Sequence, residues 1–206
     1  MTTEYAEYPQ DLQEAIQFHG HICPGLAIGY RAAKAAQAHL GVERPKDEEL
    51  VAIVESDGCG VDAIQFLLGC TLGKGNLIYR DYGKQVYILI CRQKGRSVRV
   101  AAKPGHFRRT PEQEAIFQKV LNGQATKDEE AAFRAFQKKR VDELLAAEES
   151  ALFNIEEIAP DVPSRARIFK SVTCAFCGED VMEPRARMRD GKVACIPCSE
   201  NYNRGW

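Results

Sequence analysis

Eight cysteines and four histidines carry most of the chemistry available to this chain. Four of the cysteines fall as Cys174-x2-Cys177-x17-Cys195-x2-Cys198. Two CxxC knuckles at that separation bring four soft thiolates to the corners of a tetrahedron, about 2.3 Å from a Zn²⁺ ion. Four protein ligands leave no coordination position for a substrate, so this zinc is structural. A rubredoxin-like iron site and disulfides are the rival uses of the same four residues.

A second group lies near the start, in His19-x-His21-x-Cys23. In an extended segment the three side chains share one face. At about 3.3 Å per residue, His19 and Cys23 would then stand about 13 Å apart, too far for one ion without curvature. His21 with Cys23 is the better chelating pair, and His19 becomes a second-layer or substrate-facing group. Cys23 precedes Pro24 at the start of a helix, where the macrodipole favours a thiolate. Cys59, in Asp57-Gly58-Cys59-Gly60, likewise leads into a helix, and glycines on both sides permit a close approach. Should the two helix starts converge, His21, Cys23 and Cys59 form a Cys2His set with one open position, the catalytic type of zinc site. Asp62, one helical turn further on, could orient a ligand or take a proton. The competing reading is structural: buried cysteines, a capping Asp57 and a surface His19.

Other candidates are weaker. Cys91 lies inside an apolar run and reads as core, whereas Cys70 borders a glycine-rich loop and could face the same cleft. His39 reads as exposed near a helix end, and His106 as a loop residue. The loop GCTLGKGN (69–76) is neither a P-loop nor GxGxxG, because only three residues separate Gly69 from Gly73 and no Ser or Thr follows Lys74.

The elements that must position these residues follow from periodicity and caps. Helices are expected over 11–18, over Pro24–Leu40, where Pro24 starts and Gly41 stops the helix, and over 61–69. Strands are expected at 51–55, 77–80, 85–91 and 97–102. Short links between strands imply an antiparallel sheet, hence an α+β core with flanking helices. Capping boxes at Thr110 and Thr126 open two more helices, the second running to about residue 149. Its sparse apolar stripe (Phe133, Phe136, Val141, Leu144, Leu145) suits an arm that extends across a partner. Pro160 and Pro163 mark a linker, dividing the chain into a core with helical arm, 1–164, and a zinc module, 165–206. In the module a hairpin turning at Asp190-Gly191, then a short helix after Cys198, gives the treble-clef order. Arg185, Arg187 and Arg189 would alternate along one strand.

Composition sets outer bounds. The chain has 206 residues, 45% hydrophobic and 28% charged, with a net charge of -1. Residues 165–206 hold eight Lys/Arg against five Asp/Glu, and 1–164 hold 20 against 24. Four thiolates around one Zn²⁺ offset most of that small excess, so a strongly basic surface is absent. Aromatic interleaving is thin too, which weighs against nucleic acid as a partner. No apolar run approaches the roughly 20 residues of a membrane span, and the first ten residues lack signal-peptide character. A cytoplasmic setting without membrane attachment is expected.

Taken together, FHGHICPGLAIGYRAA (18–33), ESDGCGVDAIQ (55–65) and GCTLGKGNL (69–77) resemble the FmdE-like family of formylmethanofuran dehydrogenase. The tail resembles the auxiliary treble-clef zinc finger that some members carry. The resemblance implies an α+β core, an intertwined homodimer and a second metal ion, expected to be Zn²⁺, on His21, Cys23 and Cys59. It also implies a link to a molybdenum or tungsten enzyme of one-carbon chemistry in methanogenesis. Three functions stay open: an accessory, redox or docking component of such a metalloenzyme; a stand-alone metal-dependent enzyme on a small substrate; and a metal- or redox-sensing regulator contacting nucleic acid through the zinc module. The candidate catalytic residues are Cys23, Cys59, His19 and Asp62.

Overall fold

The computed structural model describes residues 5–105, 108–159 and 161–199, so His106 and Pro160 lie outside the described residues. The chain divides into two compact units, Met1–Arg165 and Ala166–Trp206.

The first unit opens with α1 (Gln10–His19), stopped by Gly20 in the left-handed region (φ 95°). Next comes α2 (Pro24–Leu40), with Pro24 in its first turn and Gly41 (φ 60°) as left-handed cap. Then follow β1 (Leu50–Val54), α3 (Gly60–Leu68), β2 (Leu77–Tyr79), β3 (Val86–Cys91) and β4 (Arg96–Ala102). After them come α4 (Pro111–Leu121), α5 (Lys127–Ala146), the short α6 (Glu149–Leu152) and β5 (Phe153–Ile158).

The five strands lie in the order β2-β1-β3-β4-β5. Pairing is antiparallel throughout except for β1 and β2, which run parallel with Ile53 opposite Ile78. The exception has a simple cause: β1 and β2 are joined through α3, a crossover and not a tight turn. Alternation along the strands gives two buried faces. Leu50, Ala52, Val54, Leu89, Val98 and Val100 join α1, α2 and α3 in the main core. Val51, Ile53, Val86, Ile88 and Ile90 form a second cluster. Burial on both faces explains why β1 and β3 read as continuous apolar runs. The α+β class stands, and β5 is an addition the sequence reading lacked. FNIEEI alternates, but its paired glutamates hide the pattern; Glu157 there meets Arg96 at 2.7 Å across the β4–β5 ladder.

Both expected capping boxes form, at Thr110 and Thr126. The arm they open is sparsely buried: α4 buries no residue, and α5 only Val141 and Leu144. Phe133, Phe136 and Leu145 of the expected stripe stay half-buried. What fixes the base of α5 is Arg31 on α2. Its guanidinium donates to Leu144 O at 2.8 Å, Leu145 O at 2.6 Å and Ala147 O at 2.8 Å, filling carbonyls that a helix end leaves open.

In the second unit β6 (Ser171–Thr173) pairs with β7 (Asp180–Met182), and β8 (Arg187–Arg189) with β9 (Lys192–Ala194). The Asp190-Gly191 turn joins β8 and β9, with Asp190 at φ 50°. Arg185 does not share a strand with Arg187 and Arg189. Pro184 lacks an N–H and fixes φ, so Glu183–Arg185 closes as a 3-10 turn between β7 and β8. The helix expected after Cys198 falls largely outside the described residues. Among the described residues no helix is long and apolar enough to cross a membrane.

Candidate metal centres

Cys174 follows β6 and Cys177 stands in the turn before β7, while Cys195 and Cys198 flank a 3-10 turn after β9. The four sulfurs lie within 4.8 Å of one another, with Cys177 Sγ and Cys195 Sγ 3.8 Å apart. Backbone N–H groups of Cys177 and then Cys195 pull the Cys174 thiol down to about 6. The neighbouring sulfurs of Cys195 and Cys177 push Cys198 up to about 12. Four thiolates this close repel one another unless a cation sits among them, and a four-sulfur set suits Zn²⁺.

The second cluster is built by two turns of chain. HGHIC is not extended: α1 continues through His19, and Gly20 then reverses the path. The reversal removes the expected separation of His19 and Cys23. Donor atoms of His19, His21 and Cys23 lie within 4.8 Å of one another, and His19 Nε2 stands 3.9 Å from Cys23 Sγ. Asp62, from the first turn of α3, holds the other side of the imidazole, with Oδ2 2.6 Å from His19 Nδ1. Gln65 Nε2 donates to Asp62 Oδ1 at 3.1 Å and steadies the carboxylate in turn. A carboxylate on one ring nitrogen that leaves the other facing the donor cluster is the arrangement metal-binding histidines adopt. His19 thus joins the donor cluster instead of standing behind it.

Three glycines bring α2 and α3 together. A Cβ on Gly29 would lie 2.3 Å from Gly60 O, and one on Gly60 would lie 2.2 Å from the Tyr87 hydroxyl. A Cβ on Gly25 would lie 3.0 Å from Cys59 Cβ, 3.6 Å from Cys59 Sγ and 3.7 Å from Cys23 Sγ. Both sulfurs therefore face one small volume at the two helix starts. Cys59, expected as a ligand, is exposed and is not among the three residues whose donor atoms lie within 4.8 Å of one another. The sequence reading singles out Gly60 for a close approach but misses Gly25 and Gly29, although their four-residue spacing marks one helix face.

Helix position does not decide the state of Cys23. Its sulfur accepts the Leu26 N–H at 3.3 Å, as a residue capping α2. Burial nevertheless pushes the thiol up to about 11; the Leu26 contact pulls it down, and Cys59 adds to the rise. A nearby cation, not the macrodipole, is what would make this sulfur a thiolate. Cys70 does not face the cluster: it is buried in the main core, where burial pushes its thiol up to about 12. Cys91 is core, and His39 meets Glu149 at 3.0 Å on the surface.

A cleft of about 470 Å³ reaches the second cluster, with His21 and Cys23 in its lining beside Tyr5, Tyr8, Phe133 and Lys138.

A four-cysteine centre and a His2Cys centre on one chain narrow the families it can belong to. Residues 18–154 match the family described as FmdE, molybdenum formylmethanofuran dehydrogenase operon. The chain belongs to the FmdE family. Residues 167–204 match the prokaryotic dksA/traR C4-type zinc finger. This FmdE-family chain is therefore a metal-binding protein with a zinc site on Cys174, Cys177, Cys195 and Cys198. It is 34% identical over 198 residues to a probable S-adenosyl-L-methionine-binding protein of Archaeoglobus fulgidus, covering 93% of this chain. The chain spans about half the length, 53%, of that curated relative. Among solved structures, a tungsten formylmethanofuran dehydrogenase FmdE-like protein from Syntrophus aciditrophicus shares the fold. The TM-score is 0.60 at 23% identity, over 94% of this chain and 91% of that one.

Proposed function

We propose that the FmdE core is a metal-dependent site that binds and acts on a small molecule, with His19, His21 and Cys23 holding one divalent ion, expected to be Zn²⁺. The observation that carries the reading is the cleft: His21 and Cys23 line a space of about 470 Å³ instead of being sealed in the core. The donor set fits the ion, since two imidazoles and a thiolate leave at least one position for a ligand or for Cys59. A divalent ion bound there supplies Lewis acidity toward a carbonyl or a water. The chain's own groups do the rest. Asp62 fixes the His19 ring and Gln65 fixes Asp62, while the exposed Cys59 lies by Gly25 with Cys23. The tail zinc has no open position and serves folding and docking.

The second reading is an accessory, redox or docking component of a molybdenum or tungsten one-carbon enzyme linked to methanogenesis. The operon in the family description and the fold neighbour support it. In both readings the protein is a cytoplasmic homodimer in which α4 packs on the second copy; that α4 buries no residue of its own supports this.

Cobalt substitution tests the choice. Cobalt bound in the core should change its visible spectrum when azide is added, and His21→Ala with Cys23→Ser should remove about one ion per chain while the tail keeps its own. A core spectrum indifferent to azide would favour the accessory reading.

A further inference from the structure

The cleft beside the core cluster has a metal-binding end and aromatic walls. We propose that the molecule it takes is a flat conjugated ring bearing a metal-binding group, with the ring against Phe133 and the donor atoms toward His21 and Cys23. This inference rests on the open metal site proposed above.

Size is the first support. A volume of about 470 Å³ falls in the roughly 300–1,000 Å³ range of small-molecule pockets. The walls are also held before any ligand arrives. Tyr8 donates its hydroxyl to Asp142 Oδ1 at 2.9 Å, and Lys138 Nζ stands 5.5 Å from its ring centroid. Tyr5 stacks on Tyr8 at 6.2 Å and 14°. Phe133, also in the lining, stacks on Phe117 at 5.9 Å and 27°. Tyr8 is only 9% exposed, with Lys138 over its ring, so Phe133 offers the aromatic face, and offset stacking there favours a flat partner over an aliphatic one.

Charge narrows the class further. Lys138 lies 3.3 Å from both Glu7 and Asp142, and Arg134 lies 3.7 Å from Glu130. The cations at the cleft therefore already have carboxylate neighbours. A polyanion such as a nucleotide would have to compete with them, whereas a ring with a single chelating group would not.

Two hydroxamates that share a chelating group and differ in the ring provide the probe. The full chain is loaded with cobalt, and acetohydroxamate and benzohydroxamate are titrated separately while the visible spectrum is followed. Benzohydroxamate should bind at least tenfold more tightly, and Phe133→Ala or Phe133→Leu should remove most of that gain while the ligand-free cobalt spectrum stays unchanged. Equal binding of the two probes would overturn the ring proposal and leave the open metal site standing. No response to either would overturn both. A gain that survives in Phe133→Leu would place the ring elsewhere and also overturn the proposal. Binding that weakens as protein concentration rises would show that a second copy fills the cleft, with the same consequence.

Discussion

Asp62 and His19 are 43 residues apart in sequence, and their 2.6 Å contact sets which imidazole nitrogen is left for a ligand. Asp62→Ala should weaken core metal affinity about 10- to 100-fold, as loss of such orienting carboxylates does, while tail zinc is unchanged. Competition against a chromophoric chelator would measure it; equal weakening at both centres would show that Asp62 acts on folding in general. The tail ligands behave differently. Cys174→Ser should unfold residues 166–206 and leave the core soluble, because so short a unit has little apolar surface beyond Cys174, Ala194 and Cys195. Amide-exchange protection that persists in the tail of this variant would contradict that. Sequence made the tail legible because both knuckles are local motifs with a fixed spacing. It left His19 misplaced, since its position depends on a reversal at Gly20 and on a partner from a distant helix.

Helix α2 carries the positioning load at the next scale. Its glycine face lets α3 approach until Gly29 and Gly60 touch, and that approach brings Cys23 and Cys59 to a common volume. Gly29→Ala should cost about 1–3 kcal/mol by overpacking and should lower core metal content, read by thermal unfolding and metal analysis of the same sample. Unchanged metal content would show that the helix starts can converge without this contact. Arg31, two residues further along, pins α5 through three carbonyls. The tie between α1 and α2 has a pH signature. Asp11 accepts from Tyr30 at 2.9 Å and from Lys34 at 2.9 Å. Burial raises the Asp11 carboxyl, but Lys34 and Tyr30 outweigh it and hold the group below the usual carboxylate range. The tie therefore stabilises the fold above the ordinary carboxylate value, and its contribution fades as pH falls through the lowered one. Asp11→Asn should flatten the acid side of a plot of Tm against pH; an unchanged slope would remove Asp11 from the account. Helices with caps at both ends were readable from sequence, whereas β5 was masked by its glutamates and the parallel β1–β2 pair by the crossover through α3.

For the whole molecule, two centres of different character follow from two ways of supplying donors. In the tail, four sulfurs come from two local knuckles within 4.8 Å and close around an ion. In the core, donors come from the end of α1, the following turn and the start of α2, with Cys59 of the next helix start alongside, and one side opens to a cleft. Chelation should thus unfold the tail and leave the core sheet folded, since the core clusters are large and apolar without any ion. The most direct test of the central claim is an anomalous difference map of the metal-loaded protein, collected at the absorption edge of the ion. It should show two peaks per chain, one among the four tail sulfurs and one within coordination distance of His19 Nε2, a His21 ring nitrogen and Cys23 Sγ. A tail peak alone, or a core peak lacking His19 and Cys23 as neighbours, would contradict it.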